Sequence, residues 1–252
     1  MKKFVHALVL AGLVGAPALA MAAEKPVSPH SLIGNISLTS DYVFRGVSQT
    51  QNGPAIQGGI DYAHASGFYL GAWASNVAWV KEGGYKDDSS MEIDLYGGYK
   101  GSLGDVGYDV GAITYYYPGD KIAGVPNPDT TEIYLGASWK FLSLKYSHVV
   151  SDHFVGWTTS TGGKTKNSYY LELNGNYDLG NGWGVLGHVG YQDVKDNDLA
   201  SYTDWKVGVS KDIGFGTVAL AYSDTNADTG AYTWAGEEVA DGRVFLSFSK
   251  TF

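Results

Sequence analysis

From residue 35 to 45 the chain alternates: Ile36, Leu38, Ser40, Tyr42 and Phe44 fall on one side of an extended backbone, and Asn35, Ser37, Thr39, Asp41 and Arg45 on the other. Similar segments recur to the last residue and predict twelve strands, at 35–45, 55–63, 68–76, 91–99, 106–116, 131–139, 142–150, 168–177, 183–191, 201–210, 216–223 and 242–252. The connections alternate in length. Long ones at 46–54, 77–90, 117–130, 151–167, 192–200 and 224–241 are separated by short ones at 64–67, 100–105, 140–141, 178–182 and 211–215. Long loops at one end and tight turns at the other suit a membrane barrel, and Greek-key connections in a sandwich have no reason to produce them. The pattern therefore predicts an all-β fold, a transmembrane antiparallel up-and-down β-barrel of about 12 strands. Its long loops would be extracellular and its short turns periplasmic.

Aromatic residues test the same layout. On the apolar face Tyr42, Phe44, Tyr116, Tyr169, Tyr191 and Tyr222 gather near the long-loop ends, and Tyr62, Phe68, Tyr99, Trp139, Tyr177, Trp183 and Phe252 near the short-turn ends. Aliphatic residues fill the band between, as expected where amphipathic rings settle at headgroup level. Lys250 is the exception on this face. Near a rim it can snorkel, whereas at the midplane a lysine costs about 2–4 kcal/mol.

Composition adds a compartment. Lys2 and Lys3 precede an apolar run and small residues at Ala18, Ala20 and Ala22, the form of a cleaved export signal over 1–23, leaving 24–252 as one barrel domain. No later run approaches the length of a spanning helix. Cysteine is absent, so no disulfide holds this exported fold; 35 glycines and 19 tyrosines favour strands and turns over helices. A formal net charge of −9 argues against nucleic acid as a partner.

The phase of each strand places Asp41, Asp61, Glu92, Asp94, Asp109, Glu132, Glu172 and Asp204 inside, with Arg45, Lys145, Lys206 and Arg243 among them. A twelve-stranded barrel has a backbone radius of about 12 Å, so these side chains decide whether water passes. Carboxylates in excess favour cations; charges paired across the interior would instead prop the barrel closed. Arg45 is expected to pair with Asp41 or Glu92 and Gly46 to start a turn, the alternative being a cationic constriction at Arg45.

Other motifs carry less. Gly182 to Gly187, GWGVLG, has dinucleotide-loop spacing but opens a strand, with no helix N-terminus to hold a pyrophosphate. Ser147, His148, Ser151, Asp152 and His153 hold the residue types of a lipid hydrolase, yet Ser147 and His148 are adjacent strand residues that point apart. Asp193, Asp196, Asn197 and Asp198 lack the ligand spacing of a calcium loop. No catalytic residue, cofactor or metal site is expected.

The segments SLTSDYVFRGVSQT (37–50), PAIQGGIDYAHASGFYLGAWASNV (54–77) and EIDLYGGY (92–99) resemble the TorF-type porins, a proteobacterial family of unknown function. The resemblance implies an outer-membrane channel and supplies neither substrate nor catalytic residues. The expected function is passive diffusion of small polar or cationic solutes. The alternatives are a closed barrel acting through its outer loops and an outer-membrane lipid hydrolase. Expected partners are membrane lipid, lipopolysaccharide, small solutes and the barrel-assembly machinery, the last through Phe252.

Overall fold

The computed structural model describes residues 28–252; the segment expected to be an export signal, 1–23, lies outside them. In chain order the strands are β1 (His30–Thr39), β2 (Val43–Phe44), β3 (Val47–Ser48), β4 (Ala55–His64) and β5 (Phe68–Asn76). A one-turn helix, α1 (Trp79–Glu82), precedes β6 (Met91–Leu103), β7 (Val106–Tyr116), β8 (Thr130–Trp139), β9 (Leu142–Val149), β10 (Tyr169–Gly180) and β11 (Trp183–Asp193). The remainder are β12 (Tyr202–Asp212), β13 (Thr217–Thr225), β14 (Thr233–Trp234), β15 (Glu237–Glu238) and β16 (Arg243–Thr251).

Twelve of these close a barrel in the order β1-β16-β13-β12-β11-β10-β9-β8-β7-β6-β5-β4, all pairs antiparallel, with β4 returning to β1. Closure joins the first and last wall strands through Asn35 opposite Thr251 and Thr39 opposite Ser247. No edge is left unpaired, which is what lets a sheet enter hydrocarbon.

Along each strand burial alternates with the predicted phase. On β8 Glu132 and Tyr134 are buried while Ile133 and Leu135 are exposed. The exposed set is apolar around the barrel, from Leu38 and Ile56 to Val207, Leu220 and Leu246. An apolar belt of this extent on a closed barrel is a lipid-facing surface. Lys250 lies on it near the short-turn rim, its ammonium 5.0 Å from the Phe252 ring centroid.

The first strand departs from expectation. It starts at His30 and stops at Thr39, and residues 41–50 leave the wall. Val43 pairs with Ser48 and Phe44 with Val47, a hairpin closed by Arg45 (φ 49°) and Gly46 (φ 79°). Two positive-φ residues make the two-residue turn that fits strand twist. Tyr42 and Phe44 therefore face no lipid: Tyr42 is buried and Phe44 packs against an apolar cluster at the long-loop end. A Cβ on Gly46 would lie 2.7 Å from Asp204 Cβ. Gly46→Ala combines that overlap with an unfavourable φ and is expected to destabilise the barrel by about 1–3 kcal/mol, read as a lower urea midpoint in detergent.

Candidate functional site: the barrel interior

The long-loop end is filled. One cluster joins Tyr42, Trp79, Val80, Tyr115 and Tyr117; a second joins Val47, Tyr202, Tyr232 and Val239; a third joins Val149, Phe154, Val194 and Ala200. Trp79 meets Tyr85, Tyr117 and Trp234 edge-on or tilted, with centroids 5.0–6.0 Å apart, so three outer segments interlock over the mouth. Lys86 is buried in this cap, where its ammonium donates to Tyr117 O and pairs with Asp129 at 3.0 Å.

The 41–50 hairpin hangs from the cap into the barrel and is pinned to two strands of the wall, β8 and β12. The Arg45 guanidinium forks onto Glu132 of β8, with Nη1 to Oε1 and Nη2 to Oε2 both 2.8 Å. It also lies 4.2 Å from the Tyr170 ring centroid and 4.7 Å from that of Phe44. Tyr202 of β12 donates to Arg45 O at 2.8 Å. The expected partners Asp41 and Glu92 are engaged elsewhere. Asp41 accepts from Ser48 Oγ (2.6 Å) and Thr50 Oγ1 (3.1 Å) and pairs with Arg243 at 3.3 Å, while Glu92 accepts from Tyr42 Oη at 2.9 Å. Arg45 left the first strand's plane when the hairpin turned inward, and this carried it to β8.

Every other predicted interior residue falls on the inward side of its strand. Asp204 accepts from Tyr170 Oη and from His188 Nε2, both at 2.8 Å, and Glu172 accepts from Asn174 Nδ2 at 2.9 Å. His188 Nδ1 meets Asn174 Oδ1 at 2.7 Å, which ties these groups into one chain across β10, β11 and β12. Lys206 neighbours His188 in register and joins Arg45, Tyr170, Glu172 and Asp204 around a cavity of about 20 Å³, the size of one water.

Nearer the short-turn rim Asp61 accepts from Tyr96 Oη and Asp109 from Tyr69 Oη, each at 2.6 Å. Lys145 lies 4.4 Å from the Tyr134 centroid, and Lys100 sits 4.3 Å from that of Tyr69 and 3.9 Å from Asp109. The rings keep to the wall because glycines on neighbouring strands receive them: Tyr96 lies on Gly71 and Tyr134 on Gly111. Between them the inward positions are small or polar and open to solvent, among them Ser138, Asn176 and Asp178. The interior is thus a wet vestibule below a charged tier and an apolar cap.

Sequence reasoning missed His188, Asn174 and Lys100, although their inward phase was available from the same alternation. Lys86 carried no such signal, because it lies in a loop. The hydrolase-like residues do not assemble. Ser147 is buried inside, whereas His148 contacts Tyr146 Oη (3.0 Å) and Asn167 Oδ1 (3.3 Å). The Lys164 ammonium bonded to Asp152 at 2.8 Å holds that carboxyl below its usual range. Asn197 accepts from Ala200 N to cap a short turn rather than gathering ligands. Among the described residues no three His, Asp or Glu side chains are placed to hold a metal ion.

A family model described as a bacterial protein of unknown function, Gcw_chp, matches residues 23–252. The chain belongs to the Gcw_chp family. No curated protein sequence matches it. In fold this Gcw_chp barrel is similar to the NanC porin, 10% identical, over 88% of this chain and 99% of that one, with a TM-score of 0.57. It is also similar to the KdgM porin, 10% identical, over 88% and 98% of the two chains at 0.52. A KdgM structure in complex with disordered oligogalacturonate, also 10% identical, aligns over 88% and 99% at 0.54. At these identities the likeness is one of architecture, and the Gcw_chp interior has to be read from its own side chains.

Proposed function

We propose that this protein is a porin-like channel of the bacterial outer membrane, passing small polar and cationic solutes by diffusion, with its long-loop mouth closed in the conformation described. The observation that carries the reading is the inner wall: acidic, basic and small polar residues line a barrel whose outside is apolar. A barrel serving only as a scaffold gains nothing from keeping its short-turn end open to solvent. The architecture shared with porins supports the reading, as does the resemblance of residues 37–99 to the TorF-type porins. Residues 1–23 act as the export signal, Phe252 engages the barrel-assembly machinery, and the outer belt meets phospholipid and lipopolysaccharide.

Charge sets the preference. In the tier beneath the cap Asp41, Glu92, Asp94, Glu132, Glu172 and Asp204 face Arg45, Lys206 and Arg243, six acidic side chains to three basic ones. Such a tier favours cations over an acidic sugar chain like the one described with KdgM. In planar bilayers under a salt gradient the expected result is a small conductance whose reversal potential has the sign of cation preference. Anion preference would overturn the selectivity. Silence under all voltages would favour the second reading, a closed barrel working through its loops, to which the apolar cap lends weight.

A further inference from the structure

Asp94 is the least provided-for charge in the barrel. Its residue is 1% exposed, its Oδ1 has no hydrogen-bond partner, and no ion pair among the described residues includes it or Glu92. Arg45, the guanidinium of the inserted hairpin, is spent in the fork with Glu132 of β8. A buried carboxylate without counter-charge is costly, so the site calls for a positive partner.

Its surroundings say which kind. Trp73 and Tyr115 stand directly beside Asp94 on the two neighbouring strands, on the same inward face. Tyr42 meets Trp73 edge-on at 5.5 Å and donates to Glu92, which lies two residues along the strand from Asp94. Aromatic faces around a carboxylate favour a singly charged ion that interacts with rings and oxygens alike. A multiply charged metal would require more carboxylate or imidazole ligands than are placed together here. We propose that Asp94, with Glu92 beside it and the rings of Trp73, Tyr115 and Tyr42 around it, binds a monovalent cation of the alkali or ammonium class inside the barrel. The site does not require conduction: a barrel that is electrically silent but stabilised by cations keeps this inference and loses the channel.

The test is thermal unfolding of the full folded barrel in detergent at fixed pH and ionic strength. N-methylglucamine chloride is replaced stepwise by sodium, methylammonium or tetramethylammonium chloride. The fitting cation is expected to raise the midpoint by about 2–4 °C. Asp94→Asn abolishes the rise, and Glu92→Gln, the second variant should the first not fold, weakens it severalfold. A response to sodium alone assigns the site to an alkali ion; a response to the methylated ammonium ions assigns it to an organic cation held by the rings. A midpoint indifferent to every cation, and rising as pH falls, means the carboxyl is neutralised by a proton and overturns the proposal. An undiminished response in Asp94→Asn does so too.

Discussion

Glu132→Ala is expected to cost the folded barrel about 3–5 kcal/mol, seen as a lower urea midpoint with an unchanged slope. Glu132 supplies both oxygens of the fork that neutralises Arg45, and the two side chains are 1% and 6% exposed. Removing the carboxylate leaves a guanidinium enclosed by the Phe44, Phe154 and Tyr170 rings without a counter-charge. Ring faces recover only part of that loss. Arg45→Ala is expected to be similarly harmful, since it leaves Glu132 with only a 3.3 Å hydrogen bond from Tyr115. Arg45→Lys keeps the charge but cannot fork, so it does not restore wild-type stability. The combined change Arg45→Met with Glu132→Leu removes both charges and should recover most of the loss, giving a large coupling in a double-mutant cycle. A Glu132→Ala protein that unfolds at the wild-type midpoint would show that the fork does not hold the hairpin. The same pair bears on passage: with both residues changed to alanine the hairpin loses its hold on β8, and bilayer conductance is expected to exceed that of the wild type.

The wall of this protein was legible because lipid outside and water inside impose a contrast at every second residue. That contrast put Asp61, Glu92, Asp94, Asp109, Glu132, Lys145, Glu172, Asp204, Lys206 and Arg243 on the inward face from the sequence alone. It failed at 40–48 for a physical reason. A two-residue hairpin also alternates, so the run through Asp41, Val43 and Arg45 reads as a continuing strand although it has left the wall. The turn residues gave little warning, because Arg45 at φ 49° is an unusual occupant of a position that glycine or asparagine normally fills. Nor could the sequence join Arg45 to Glu132, 87 positions away; that contact exists only once the hairpin is inside. The cap could have been suspected. Trp79, Tyr85, Trp157, Tyr232 and Trp234 all lie outside the wall strands, and so many large rings in outer loops have to be covered by one another.

Leu144→Arg and its neighbour Lys145 together probe the orientation of the whole wall. Leu144 is 48% exposed on β9, beside Ala137 and Leu173, and faces hydrocarbon; Lys145, one residue on, points inward and lies over Tyr134. The chain thus tolerates a cation at one position and is expected to reject it at the next. For Leu144→Arg the cost at this depth is about 2–4 kcal/mol, measured as a lower urea midpoint after refolding into lipid vesicles. Ser143→Arg, on the inward face between Ser138 and Asn174, is the control. Its side chain reaches the wet vestibule, so it should change stability by less than about 1 kcal/mol. Leu144→Ala separates charge from size, because it removes lipid contact without introducing a cation and should cost less than the arginine. If Ser143→Arg proved the costly change and Leu144→Arg the silent one, the polar face would be the one in contact with lipid. Glu132, Asp204 and their partners would then have no interior to line, and the channel reading would fall with the orientation.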